Sequence, residues 1–128
     1  MRGLELNQNL VRIQATFVRE TWTEPTYRLW SIGDRHPAMQ RVTEGGRAIA
    51  VEVWAVPVTG LATLLQQEPP GLSIGKVRLS DGSEVLGVLG EAILCEGQQE
   101  ITAWGGWRAY IADLHAPLSD PSLSSEVA

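Results

Sequence analysis

The sequence is poor in the residues that most often announce chemistry. It holds one cysteine, Cys95, so no internal disulfide can form and nothing points to an oxidising compartment. Its two histidines, His36 and His115, stand far apart in proline-flanked stretches. No Cys or His pair has ligand spacing, so neither a metal nor any other cofactor is expected. Basic residues number 10 against 15 acidic ones, a net charge of −5, with no basic stripe to follow a phosphate backbone or an anionic membrane. No apolar run approaches the ~20 residues that span a bilayer. A basic-then-apolar leader is also missing, so the expected location is the cytoplasm. The pairs Gly45-Gly46 and Gly105-Gly106 match no phosphate-binding signature. Cys95 lies in an apolar stretch with no histidine placed to activate it, which predicts an inert buried thiol.

What is present suits one globular domain. A chain of 128 residues is too short for two ordinary domains but long enough to bury a core without staples. Leu6, Leu10 and Ile13 recur at near-helical spacing, predicting a short helix over 4–11 and a strand over 15–20. "TYRLWSI" alternates and is rich in aromatic and β-branched types, so it reads as a strand; "GDRHP" reads as a turn and "MQRV" as a short strand. "RAIAVEVWAVP" gives the strongest strand signal, with Ile49, Val51, Val53 and Ala55 on one face.

The period then changes. In "VTGLATLLQQE", Leu61, Leu64 and Leu65 fall on one helical face behind Thr59, a plausible N-cap. Pro69, Pro70 and Gly71 stop that helix. "GKVRLSDGSEVLGVLG" is two alternating runs about Asp81-Gly82, a hairpin signature. "AILCEG" reads as one more strand, and a helical turn is expected over 107–112. The expectation is an α+β fold of six or seven strands, mixed or barrel-like, in one domain over 1–113. A flexible Pro/Ser-rich tail is expected over 114–128.

Two clusters carry candidate chemistry. Glu68 sits at the end of a helix, where the negative end of the dipole disfavours an anion. Desolvation by Leu65, Leu72 and the prolines would act the same way, and a raised carboxyl is what a general acid/base at neutral pH needs. The competing reading is a solvated residue beside a helix stop. "AWGGWRAYI" offers close backbone approach at its glycines, with a cation at Arg108 and a phenol at Tyr110. Arg108 can clamp a small carboxylate, or it can belong to an aromatic plug that closes the fold. Tyr27 and Arg28 open a strand as wall residues, and Asn7 is either a backbone cap or a ligand contact.

These stretches resemble the γ-glutamylcyclotransferase-like family, and most closely the C-terminal domain of allophanate hydrolases. The resemblance runs through "GLELNQNL", "PTYRLWSI", "VEVWAVP", "PPGLSIGKVRLSDGSEVLGVLGE" and, most specifically, "EITAWGGWRAYI". It implies a small mixed β-barrel with a cavity at one end and short flanking helices. It also implies a glutamate acid/base at Glu68, although the allophanate hydrolase domain usually has an apolar residue there. The substrate implied is a small carboxylated amide, either urea- or allophanate-derived or a γ-glutamyl compound. Gly3, Leu4, Asn7, Tyr27, Arg108 and Tyr110 would bind it. An amidase is implied as a separate subunit, since this chain carries no Ser-rich glycine signature. The family's opening strand and glycine-containing loop would lie ahead of Met1. Loss of such backbone donors costs ~2.7–4 kcal/mol in a barrier, so the alternative is a non-catalytic binding or assembly module that keeps the barrel. Nothing in the sequence fixes the oligomeric state.

Overall fold

A computed structural model of the chain describes residues 13–116. The helix expected over 4–11 and most of the predicted tail lie outside those residues.

Among the described residues, seven strands form three antiparallel sheets. β1 (Thr16–Trp22) pairs with β4 (Ala50–Ala55), with an irregularity between Phe17 and Arg19 that turns Val18 outward. β2 (Tyr27–Ile32) lies between β3 (His36–Arg41) and the two-residue β7 (Gln99–Glu100). β5 (Leu72–Arg78) and β6 (Glu84–Gly90) make the hairpin predicted at Asp81-Gly82, where Gly82 takes φ +88°. Asp81 closes that turn by accepting hydrogen bonds from the backbone N–H and hydroxyl of Ser83.

Three helices lie among the described residues: α1 (Val58–Gln67), the single turn α2 (Ala92–Cys95) and α3 (Trp107–Leu114), the last preceded by a 3-10 turn at Thr102–Trp104. Two expectations change here. α1 is entered through Pro57 with no side-chain cap, so Thr59 is inside the helix. "AILC" is a helical turn and not a strand; a four-residue apolar run fits either period.

The expected closed barrel is not what these residues form. The β1–β4 and β5–β6 ladders meet at one stitch, the isolated bridge Thr23↔Leu79. Thr23 is fully buried there, and its hydroxyl accepts from the Ile49 N–H at 3.0 Å and donates to the Glu24 carbonyl at 2.8 Å. A second bridge, Tyr27↔Arg47, ties β2 to the segment leading into β4. The core gathers at these stitches: Tyr27, Leu29, Ile49, Leu79, Ile101 and Trp107 pack together, each such side chain contributing roughly 1.5–3 kcal/mol. Between the ladders lies a cavity.

Candidate functional site

The cavity has a volume of about 1110 Å³. β1 and β4 supply Trp22 and Trp54, α1 supplies Leu61 and Leu64, the hairpin supplies Ile74 and Val88, and the end of the 3-10 turn with the start of α3 supplies Trp104 to Ala109. Most of this wall is apolar. Among the described residues, its ionisable side chains are Glu20, His36, Glu52, Glu68 and Arg108.

Glu68 is the C-cap of α1. Its backbone has left the helix (φ −71°, ψ 147°), and its N–H still donates to the Leu65 carbonyl at 3.3 Å. Pro69 and Pro70 cannot extend the ladder, so the chain swings away and leaves the side chain half-buried in the cavity wall. Burial pushes the Glu68 carboxyl above the usual carboxylate range, and the charge of His36 acts in the opposite sense. Burial, one of the two causes argued from sequence, is the larger of the causes acting on it here.

His36 was expected in a turn with Pro37. It instead opens β3 opposite Ile32 and is buried, 8% exposed. The available signal was Gly33-Asp34. Both take positive φ, at +58° each, as the two central positions of a primed hairpin turn require. A turn that finishes at Arg35, whose N–H donates to the Ile32 carbonyl, returns His36 to the ladder.

The other predicted site residues separate. Arg108 lines the cavity, but its guanidinium is paired with Glu52 at 3.1 Å. Tyr27 does not line the cavity: it is 1% exposed, and its phenol oxygen accepts the Arg78 N–H at 3.1 Å. Tyr110 is likewise in the core, donating its hydroxyl to Asp34 Oδ1 at 2.6 Å. That bond, with burial second, raises the Tyr110 phenol, while Ser31 and then Tyr110 hold Asp34 below the usual carboxylate range. Arg28 sits outside, bidentate on Glu100 and stacked over Trp30. Gly3, Leu4 and Asn7 lie outside the described residues. Cys95 is buried, and its thiol is pushed up by that burial. No group of three or more His, Cys, Asp or Glu among the described residues is arranged to hold a metal. No helix among them is long and apolar enough to cross a membrane.

Residues 1–112 match the family model described as the allophanate hydrolase C-terminal domain. The chain belongs to that family. Among curated relatives, urea amidolyase of Saccharomyces cerevisiae is 30% identical over 122 residues, 86% of this chain. This chain spans only about 6% of that relative's length. A solved structure of a uropathogenic E. coli-specific protein superposes with a TM-score of 0.86 at 57% identity, covering 90% of this chain and 91% of that one. Allophanate hydrolase of Kluyveromyces lactis superposes with a TM-score of 0.83 at 29% identity, over 90% of this chain and 20% of that chain.

Within this allophanate hydrolase C-terminal domain, the stretch "AWGGWRAY" is spent on architecture. Gly105, at φ +75°, ends the 3-10 turn and offers its carbonyl to the Ala50 N–H at 2.7 Å. A Cβ on Gly106 would stand 3.1 Å from that of Ala50. Arg47 donates to the Ala103 carbonyl, Trp104 Nε1 donates to Asp113, and Trp104 and Trp107 both pack against Tyr110. The motif latches α3 onto β4 and the β2–β3 turn.

Proposed function

We propose that this domain acts on a small carboxylated amide of urea or allophanate breakdown, with Glu68 as its general acid/base. The observation that carries the reading is the half-buried Glu68 carboxyl in the wall of a mostly apolar cavity, pushed up by desolvation. A carboxyl raised above its ordinary range is a stronger base than a solvated one, and desolvation in the wall strengthens its interaction with a bound amide nitrogen. Support for the substrate class comes from the names of the relatives, urea amidolyase and allophanate hydrolase. A γ-glutamyl amide is the other amide to be assayed. In this proposal Gly3, Leu4 and Asn7 belong to the substrate-facing stretch. Arg108 meets a substrate carboxylate only by exchanging it for Glu52, and Tyr27 and Tyr110 serve as scaffold. The partner is an amidase, and the setting is the cytoplasm.

The test is product release from carboxylated ureas and γ-glutamyl amino acids by the purified chain. Glu68→Gln should lower kcat by roughly 10²–10⁴-fold while the far-UV circular dichroism stays unchanged. Undiminished turnover in that variant removes Glu68 from the chemistry.

A second reading has its own observation. The most family-specific stretch and Arg108 of the cavity wall are already engaged in structural contacts. That suits a binding or assembly module that retains the fold without turnover. A folded wild-type chain, silent on both substrate classes yet co-eluting with an amidase subunit, would favour this reading.

A further inference from the structure

The latch that brings α3 to β4 also sets a cation against that strand. Gly105 offers its carbonyl to Ala50, and a Cβ on Gly106 would stand 3.1 Å from that of Ala50, so the start of α3 lies close on β4. From there Arg108 reaches Glu52, and its Nη2 donates to Oε2 at 3.1 Å. Glu52 and Trp54 are two apart on β4, so their side chains leave the same face of the strand. Trp54 Nε1 donates to the other carboxylate oxygen, Oε1, at 3.2 Å. Phe17, across the ladder from Trp54, meets the indole edge to face with ring centroids 5.6 Å apart, which fixes its orientation. Each oxygen of the Glu52 carboxylate thus has its own N–H donor, one from a guanidinium and one from an indole. Glu52, Trp54 and Arg108 all line the cavity.

We propose that Arg108 Nη2 and Trp54 Nε1 form a carboxylate seat in the cavity wall, filled in this chain by Glu52, which a ligand's carboxylate enters by exchange. Glu52 is then a specificity-determining residue of the cavity. This deepens the reading above and rests on its ligand class, a small carboxylated amide. Guanidinium and indole N–H groups only donate, so the seat takes an acceptor, and its fixed positive charge favours an anion. The Arg108 side chain is 52% exposed and that of Glu52 10%, so the cation is open to a ligand while the anion it holds is largely desolvated. Glu20 stands opposite Glu52 in the β1–β4 register and lines the same cavity. Like charges directly opposite repel, so the present occupant is pushed by its cross-strand neighbour. Replacing one carboxylate by another keeps the charge of Arg108 balanced. A neutral amide brings no anion to exchange and leaves the Glu52 contacts in place. Competition with Glu52 therefore sets how tightly a carboxylated ligand is held and leaves its neutral counterpart unaffected.

The test is isothermal titration calorimetry of the full chain with ureidoacetate, a stable carboxylated urea, and with its neutral counterpart ureidoacetamide. Glu52→Gln keeps the shape and removes the competing anion; Glu52→Ala is the second variant should the first not fold. Either one should bind ureidoacetate roughly tenfold or more tightly than the wild type, with the Kd for ureidoacetamide nearly unchanged. Adding Arg108→Gln to Glu52→Gln should abolish that gain. Adding Trp54→Phe, which keeps a ring against Phe17 and removes the Nε1 hydrogen, should reduce it. Ureidoacetate bound no more tightly in the Glu52 variants overturns the proposal, as does a gain shared by ureidoacetamide or one that survives the loss of Arg108. These affinities are read without turnover, so the two proposals fail separately. Tighter binding in Glu52→Gln beside an active Glu68→Gln keeps the seat and removes the acid/base role, whereas unchanged binding beside an inactive Glu68→Gln does the opposite.

Discussion

Two carboxyls of this domain are displaced in opposite directions, and their effects on stability have opposite signs. Asp34 is held low by the Ser31 and Tyr110 hydroxyls, so it contributes stability above its unfolded value of about 3.9, lost as pH falls through the folded one. Glu68 is held high by burial, so its contribution is complete below about 4.3 and is lost as pH rises through its folded value. Glu68→Gln should therefore unfold at higher temperature than the wild type near neutrality and at the same temperature in acid, read from melting curves across pH. Asp34→Asn should be less stable near neutrality, the difference closing in acid. At this scale the sequence was informative where a local cause sufficed: a carboxylate before two prolines singled out Glu68, while leaving a solvated helix end as the competing reading. It misplaced His36 and Tyr110, because their surroundings come from Ile32 across a hairpin and from Asp34 on a distant turn.

Among the elements, those with an unambiguous period were legible. The alternation of "YRLWSI" and "AVEVWA", the leucines of α1 and the Asp81-Gly82 turn all correspond to observed structure. Short apolar pieces were not, and "AILC" became a turn of helix. Nor does periodicity say where ladders join. The stitch at Thr23 is a threonine used for its hydroxyl, in a position where a β-branched apolar residue would fit the strand equally well. Thr23→Val keeps the shape and leaves the buried Ile49 N–H without its acceptor, which should cost about 1–3 kcal/mol. Urea denaturation checks this: the midpoint should fall while the slope of the transition stays constant.

For the molecule as a whole, the family resemblance reached the right relatives and an α+β fold, but closure into a barrel depends on long-range pairings that no local pattern encodes. Three sheets stitched at their ends leave room between them, and that room is walled by Trp22, Trp54, Trp104 and Trp107. The remaining tryptophan, Trp30, lies outside that wall under Arg28. The cavity is thus ringed by indoles, and the domain carries its own optical reporter of occupancy. Anilinonaphthalene sulfonate entering it should drain tryptophan emission by energy transfer as the dye brightens. That response should survive Trp30→Phe, and its loss in that variant would show that the dye sits elsewhere. A chain whose chemistry is hard to watch is, by the placement of four rings, easy to watch by light.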